Sequence, residues 1–168
     1  MARWADIQAA EPEFAAAVQA RFDAHRHKIM ATIRKDGSPR VSGIEVNFQD
    51  GEVWFGSMPG ARKLDDLQRD PRLALHCNSD DPPDDATTWS GDAKLSGRAV
   101  EVNDPERLKS MADTAAGGSE GGDEEMPGHL FRVDISEVVL TKVGDPPDHL
   151  EVSVWTPDGG LRRLKTQQ

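Results

Sequence analysis

Turn chemistry sets the tightest limit on what this chain can fold into. Asp36-Gly37, Asp50-Gly51 and Asp158-Gly159-Gly160 each stand between short apolar runs. Such pairs take the positive-φ conformations that fold one strand back on the next. The runs between them are short and alternate apolar with polar residues, the period of a half-buried strand. Residues 28–33, 40–48 and 52–56 are then three antiparallel strands in succession. In the second, Val41, Gly43, Glu45 and Asn47 share one face, opposite Ser42, Ile44, Val46 and Phe48. Further strands are expected at 72–77, 92–102, 129–143, 150–155 and 161–165, and a change of apolar spacing near Ser136 predicts a bend or bulge. About eight short, mostly hairpin-connected strands predict a β-barrel or sandwich.

Helices are few. Pro12 suits a first helical turn, and Phe14, Ala17, Val18 and Phe22 follow at helical spacing, so a helix is expected from Pro12 to about Asp23. Asn103-Asp104-Pro105 caps a second, running to about Met111. The acidic, proline-broken stretch 78–88 reads as a loop, and the glycine-rich, acidic 115–127 as a mobile one. No repeat divides the 168 residues, so one domain is expected, with a helical segment at 1–27 and a C-terminal hairpin at 144–168.

The stretch WFGSMPGARKLDDLQRDP (54–71) carries the chemistry. It ends a strand, breaks at Ser57-Met58-Pro59-Gly60, and restarts at Ala61 as a short helix with Leu64 and Leu67 on its buried face. Free N–H groups at a helix start attract anions. Arg62 and Lys63 sit in that first turn, the wrong end of the dipole for cations unless an anion joins them. Asp65 and Asp66 offset part of that cost.

Other constellations are weaker. His25 and His27 face one way only in a strand and have no third metal ligand nearby in sequence. His76 and Cys77 are strand neighbours that point oppositely, which does not suit a thiolate–imidazole pair. Asp80-Asp81-Pro82-Pro83-Asp84-Asp85 lacks the alternating ligands and glycine of a calcium loop. No nucleophile motif, zinc motif or nucleotide fingerprint is present. No catalytic residue stands out, so catalysis would belong to a bound cofactor.

A formal charge of −10 argues against nucleic-acid backbone binding. Cys77, the single cysteine, rules out an internal disulfide and any cysteine-rich metal site. No apolar run approaches the roughly 18 residues of a bilayer span, and the first residues lack an apolar signal core. A cytoplasmic location without a membrane partner is the expectation.

The order of MATIRKDGSPRVS, a strand, GSMPGARKLDDLQRDPRLAL, and a strand ending KLSGRAVEV resembles the pyridoxamine 5′-phosphate oxidase-like split β-barrel superfamily. The resemblance covers residues 28–102, with 129–143 as the closing strand. It implies a mainly β (α+β), FMN-binding split β-barrel with a few peripheral helices, working as a homodimer with its cofactor at the subunit interface. The implied activity is hydride transfer between FMN or the deazaflavin coenzyme F-420 and a small organic substrate. The implied cofactor-contacting residues are Arg40, Val41, Ser42, Ile44 and Glu45 along one strand. Ser57, Arg62 and Lys63 would hold the phosphate. Two departures count against vitamin B6 oxidation itself. Glu45 stands where that oxidase has lysine, and the ending LRRLKTQQ lacks its arginine-containing terminus. A noncatalytic flavin- or haem-binding carrier is the alternative reading, with His76 and His129 open as haem ligands, and a pyridoxamine phosphate oxidase is a weaker one.

Overall fold

A computed structural model describes residues 1–108 and 128–167. Its elements run α1 (Trp4–Ala10), α2 (Pro12–Asp23), β1 (His27–Ile33), β2 (Pro39–Glu45), β3 (Asn47–Gln49), β4 (Glu52–Ser57), α3 (Arg62–Arg69), β5 (Arg72–His76), β6 (Asp92–Glu101), β7 (His129–Val143), β8 (His149–Thr156) and β9 (Gly160–Gln167). The strands form one antiparallel sheet in the order β2-β1-β5-β6-β7-β4-β3, with the β8–β9 hairpin attached to β7. This is the split barrel that the resemblance implies, and it decides between the barrel and sandwich that the turn spacing left open.

β7 is the seam. Over its length it pairs with β6, its first residues also pair with β4, and its later ones with β8. One strand serves three partners because β4 and β8 pair with different stretches of it, 129–132 and 138–143, and a bulge lies between those stretches. The β6–β7 register shifts between Ser96 and Gly97, opposite Glu137 and Ile135, which leaves Ser136 as the extra residue. Gly97 is required there, since a Cβ would lie 2.2 Å from the Asp134 carbonyl oxygen. The bend expected at Ser136 is thus a bulge with a cross-strand reason.

The β3–β4 turn shows the expected chemistry as well, with Asp50 at φ 52° and Gly51 at φ 72°. The strand expected over 40–48 is two strands instead. β2 pairs with β1 and β3 with β4, and the chain changes partner at Val46, whose side chain is buried in the core. Alternation alone cannot reveal such a change, because the pattern runs on through the break.

Inside the barrel, Phe55 and Phe131 stack at 5.2 Å, and Met30, Leu75, Leu95, Val133 and Ile135 pack around them. Each such side chain contributes about 1.5–3 kcal/mol on full burial. α2 lies over this core on Phe14, Val18 and Phe22. Helix α1 lies within the helical segment expected at 1–27, but its own bounds are not predicted, because it is only seven residues long. It is held by tertiary contacts: Trp4 and Ile7 are buried, Trp4 meets Phe48 edge-on at 4.7 Å, and Ala2 exchanges two 2.8 Å backbone hydrogen bonds with Ile135. Asp104 accepts backbone N–H bonds from Glu106 and Arg107, as a cap should. The remainder of that helix, and the loop expected at 115–127, lie outside the described residues. No helix among the described residues is long and apolar enough to cross a membrane.

Candidate functional site: a cationic pocket along α3

Helix α3 rests on the barrel through Leu64 and Leu67 and turns a second, polar side toward the β1–β2 hairpin. Asp66 organises that side. It is 2% exposed and accepts hydrogen bonds from Thr32 Oγ1 at 2.8 Å, Arg40 Nε at 2.6 Å and an Arg69 guanidinium nitrogen at 3.3 Å. The Arg40 bond, reinforced by Thr32 and Arg69, holds its carboxyl below the usual carboxylate range against the opposing effect of burial. Arg69 also donates to the Ile33 carbonyl, which ties the end of α3 to the end of β1.

Between the hairpin and the helix lies a pocket of about 480 Å³. The helix lines it with Arg62, Asp65, Asp66 and Arg69, and the hairpin with Arg34, Lys35, Asp36 and Arg40. Five cations therefore meet three carboxylates, and two of those carboxylates are already engaged. Asp66 holds Arg40 and Arg69, while Asp36 accepts from the Ser38 backbone and hydroxyl within its own turn. Among the described residues, none of Arg34, Lys35 and Arg62 pairs with a carboxylate. With Asp65 counted against them, these groups leave the pocket with an excess of positive charge, which can attract an anion.

The structure distributes the sequence-predicted residues unevenly. Arg40 and Arg62 share the pocket. Lys63 does not line it. Its ammonium donates instead to the Gly43 carbonyl of β2 at 3.1 Å, and burial pushes its proton affinity down. Ser57 closes β4 and is 2% exposed, with a hydroxyl that has no hydrogen-bond partner. Along β2 the pleat separates the rest. Val41 and Glu45 point outward, Val41 at 70% exposure, whereas Ile44 is buried and Ser42 shares its side. Ser42 and Ile44 take the same side of β2 as Arg40, with Ser42 partly exposed. Glu45 is already engaged, accepting from Arg26 Nε at 2.9 Å with His27 3.6 Å away.

The histidines of the sequence go to separate partners. His25 lies 3.1 Å from Asp80, His76 contacts the Cys77 carbonyl, and His129 lies 2.5 Å from Glu101. Among the described residues no three ligating side chains form a metal-binding group. Sequence reasoning missed Asp66, Thr32, Arg34, Lys35 and Arg69 as parts of one site. The available signal was Asp66 itself, an acid one residue from the buried Leu67 with a solitary threonine in the apolar strand ahead of it.

Comparisons with known proteins agree with this architecture. The family model described as pyridoxamine 5′-phosphate oxidase matches residues 14–142. Among solved structures, PhzG from Burkholderia lata, in complex with tetrahydrophenazine-1-carboxylic acid, is similar at 16% identity and a TM-score of 0.60, over 97% of this chain and 92% of that one. A conserved hypothetical protein from Mycobacterium tuberculosis is 25% identical over 76% of this chain and 81% of its own, with a TM-score of 0.57. An F-420 reductase is 16% identical over 71% and 94%, with a TM-score of 0.55. No curated protein matches the chain.

Proposed function

The chain belongs to the pyridoxamine 5′-phosphate oxidase family, and from that premise we propose that it is an FMN- or coenzyme F-420-dependent oxidoreductase acting on a small or flat organic substrate. The observation that carries this reading is the pocket along α3, whose Arg34, Lys35 and Arg62 have no carboxylate partners among the described residues. Both cofactors present a phosphate, and the residues fit one. Arg40 is fixed by Asp66, and Arg62, without a carboxylate partner among the described residues, stands at the first turn of a helix whose N-cap, Ala61, offers no side-chain acceptor to the first N–H groups. Lys63, desolvated and without a carboxylate among the described residues, lies one residue away to complete the cationic shell, and the Ser57 hydroxyl, which has no partner among them either, precedes the same loop. When bound, the ring supplies the hydride chemistry. The chain's own work is to anchor the phosphate and to keep water from one face of the ring.

That second task calls for a cover, and the outward face of β1, β2 and β5 supports a second copy of the chain in that role. Ile29, at 43% exposure, lies opposite Gly43, and Ala31 lies between Val41 and Ala74. Nothing lies within 4 Å of a Cβ built on Gly43. Here an apolar strip of sheet runs beside the Lys63–Gly43 bond, so one interface would bury the strip and close the cofactor groove together. Light scattering at micromolar concentration should give twice the chain mass. Val41→Asp should shift the molecule to monomer and weaken cofactor binding with it. A monomer that holds its cofactor would remove the dimer from this reading.

Turnover separates an enzyme from a carrier built on the same pocket. With reduced FMN or reduced coenzyme F-420 and a panel of flat, conjugated acceptors, steady oxidation of cofactor is expected. Saturable binding with no oxidation by any acceptor would favour the carrier, and oxygen uptake with pyridoxamine phosphate would revive the B6 oxidase.

A further inference from the structure

His76 closes β5 on the same outward face as Ile29 and Gly43. The three residues form one row across β5, β1 and β2. His76 therefore stands two strand spacings, about 10 Å, from Gly43, whose carbonyl Lys63 engages. The apolar strip of Ile29, Ala31 and Val41 thus leads from the cationic start of α3 to an imidazole. The charged groups around that ring are Asp92 and Lys94 on β6, with His27 and Glu45 one row further along β1 and β2.

The backbone orients the ring. Nδ1 bonds the Cys77 carbonyl, and because a carbonyl oxygen only accepts, Nδ1 carries the proton of the neutral ring. Nε2 is left with the lone pair. Asp92 Oδ2 lies 3.6 Å from it, too far for a direct hydrogen bond, and the side chain is 39% exposed. Among the described residues nothing occupies Nε2, so it can accept a proton or, once charged, donate one to a ligand on the sheet.

We propose that His76 is a catalytic acid in the hydride transfer, with Asp92 as a positioning residue. This rests on the reading of the chain as an FMN- or coenzyme F-420-dependent oxidoreductase. The substrate takes a hydride, and with it two electrons, from the reduced cofactor at one atom of a polarised double bond. The π pair of that bond moves to the other atom, which takes the proton from Nε2 of the imidazolium. His76 is left neutral, its Nδ1 proton still on the Cys77 carbonyl, and a solvent proton arriving beside Asp92 recharges it. The substrate therefore lies with its proton-accepting atom toward β5.

Nitrogen-15 spectra of the histidine rings and steady-state rates test this together. In the cofactor-free chain the His76 signals, assigned through the backbone, should show a neutral ring protonated on Nδ1. Adding FMN or coenzyme F-420, whichever binds, should shift them and leave those of His149, on the C-terminal hairpin, in place. With reduced cofactor and an acceptor, His76→Gln should lower kcat about a hundredfold or more, the contribution of a positioned acid, with cofactor affinity nearly unchanged. Wild-type kcat should fall as pH rises, because the acid must be charged. That dependence should vanish in His76→Gln and move along the pH axis in Asp92→Asn. Wild-type turnover in His76→Gln, a neutral ring protonated on Nε2, or His76 signals unmoved by bound cofactor would overturn the acid and leave the cofactor reading standing. Saturable binding without turnover by any acceptor removes the acid together with the enzyme. Failure of both cofactors to bind removes the reading itself.

Discussion

Arg62→Ala should weaken the binding of the chain's cofactor about ten- to a hundredfold, since a charge-assisted hydrogen bond to an ionised group contributes about 1.5–3 kcal/mol. The fold should not notice. Arg62 is exposed at the first turn of α3, has no carboxylate partner among the described residues, and sits at the end of the helix dipole that disfavours a cation. Lys63→Met tests the neighbouring group with its apolar stem retained. It should weaken binding in the same direction, while its one bond, to the Gly43 carbonyl, limits the change in cofactor-free stability to about 1 kcal/mol. Fluorescence titration gives the affinities and urea melts the stabilities. A structural role for either side chain would give the reverse: lost stability with affinity intact.

Asp66→Ala should cost the most stability, about 3 kcal/mol, because it strands the buried Thr32 hydroxyl and the partly buried Arg40 guanidinium together. For a chain of this size that lowers the melting temperature by roughly 6–12 °C. Cofactor affinity should fall as well, since Arg40 loses the bond that aims it. Asp66→Asn isolates the charge. The Asp66 carboxyl is held below its ordinary value chiefly by Arg40, so its contribution is complete above the unfolded value near pH 4 and is lost as pH falls through the folded value. The stability gap between wild type and Asp66→Asn should therefore narrow from about pH 5 to pH 3. A gap that stays constant over that range would mean that Asp66 acts by shape and not by charge.

The strands were legible because turn chemistry and alternation are local. The hairpin signals at Asp36-Gly37 and Asp50-Gly51, the bulge at Ser136 and the helix at Pro12 each follow from a few adjacent residues. The break at Val46 and the separate bounds of the helix at Trp4 were not legible. Both depend on partners far along the chain, a change from β1 to β4 in one case and the β7 backbone in the other. The site divides in the same way. Helix dipole and charge pointed to Arg62 and Lys63 directly, but Arg34, Lys35 and Arg69 join Arg62 only once the β1–β2 hairpin folds beside α3. Asp66 looked like a surface acid offsetting nearby cations. It is instead the buried carboxylate that sets the geometry of two arginines and a threonine, which only the packing of α3 on β1 could show.

The most direct measurement is a pair of titrations, FMN and coenzyme F-420 into purified wild type and into Arg62→Ala, followed by absorbance and fluorescence. A phosphate-anchored cofactor on α3 predicts saturable binding of at least one of the two by wild type, and a curve shifted about ten- to a hundredfold in the variant. Failure of both to bind wild type, or equal affinity for wild type and Arg62→Ala, would contradict it.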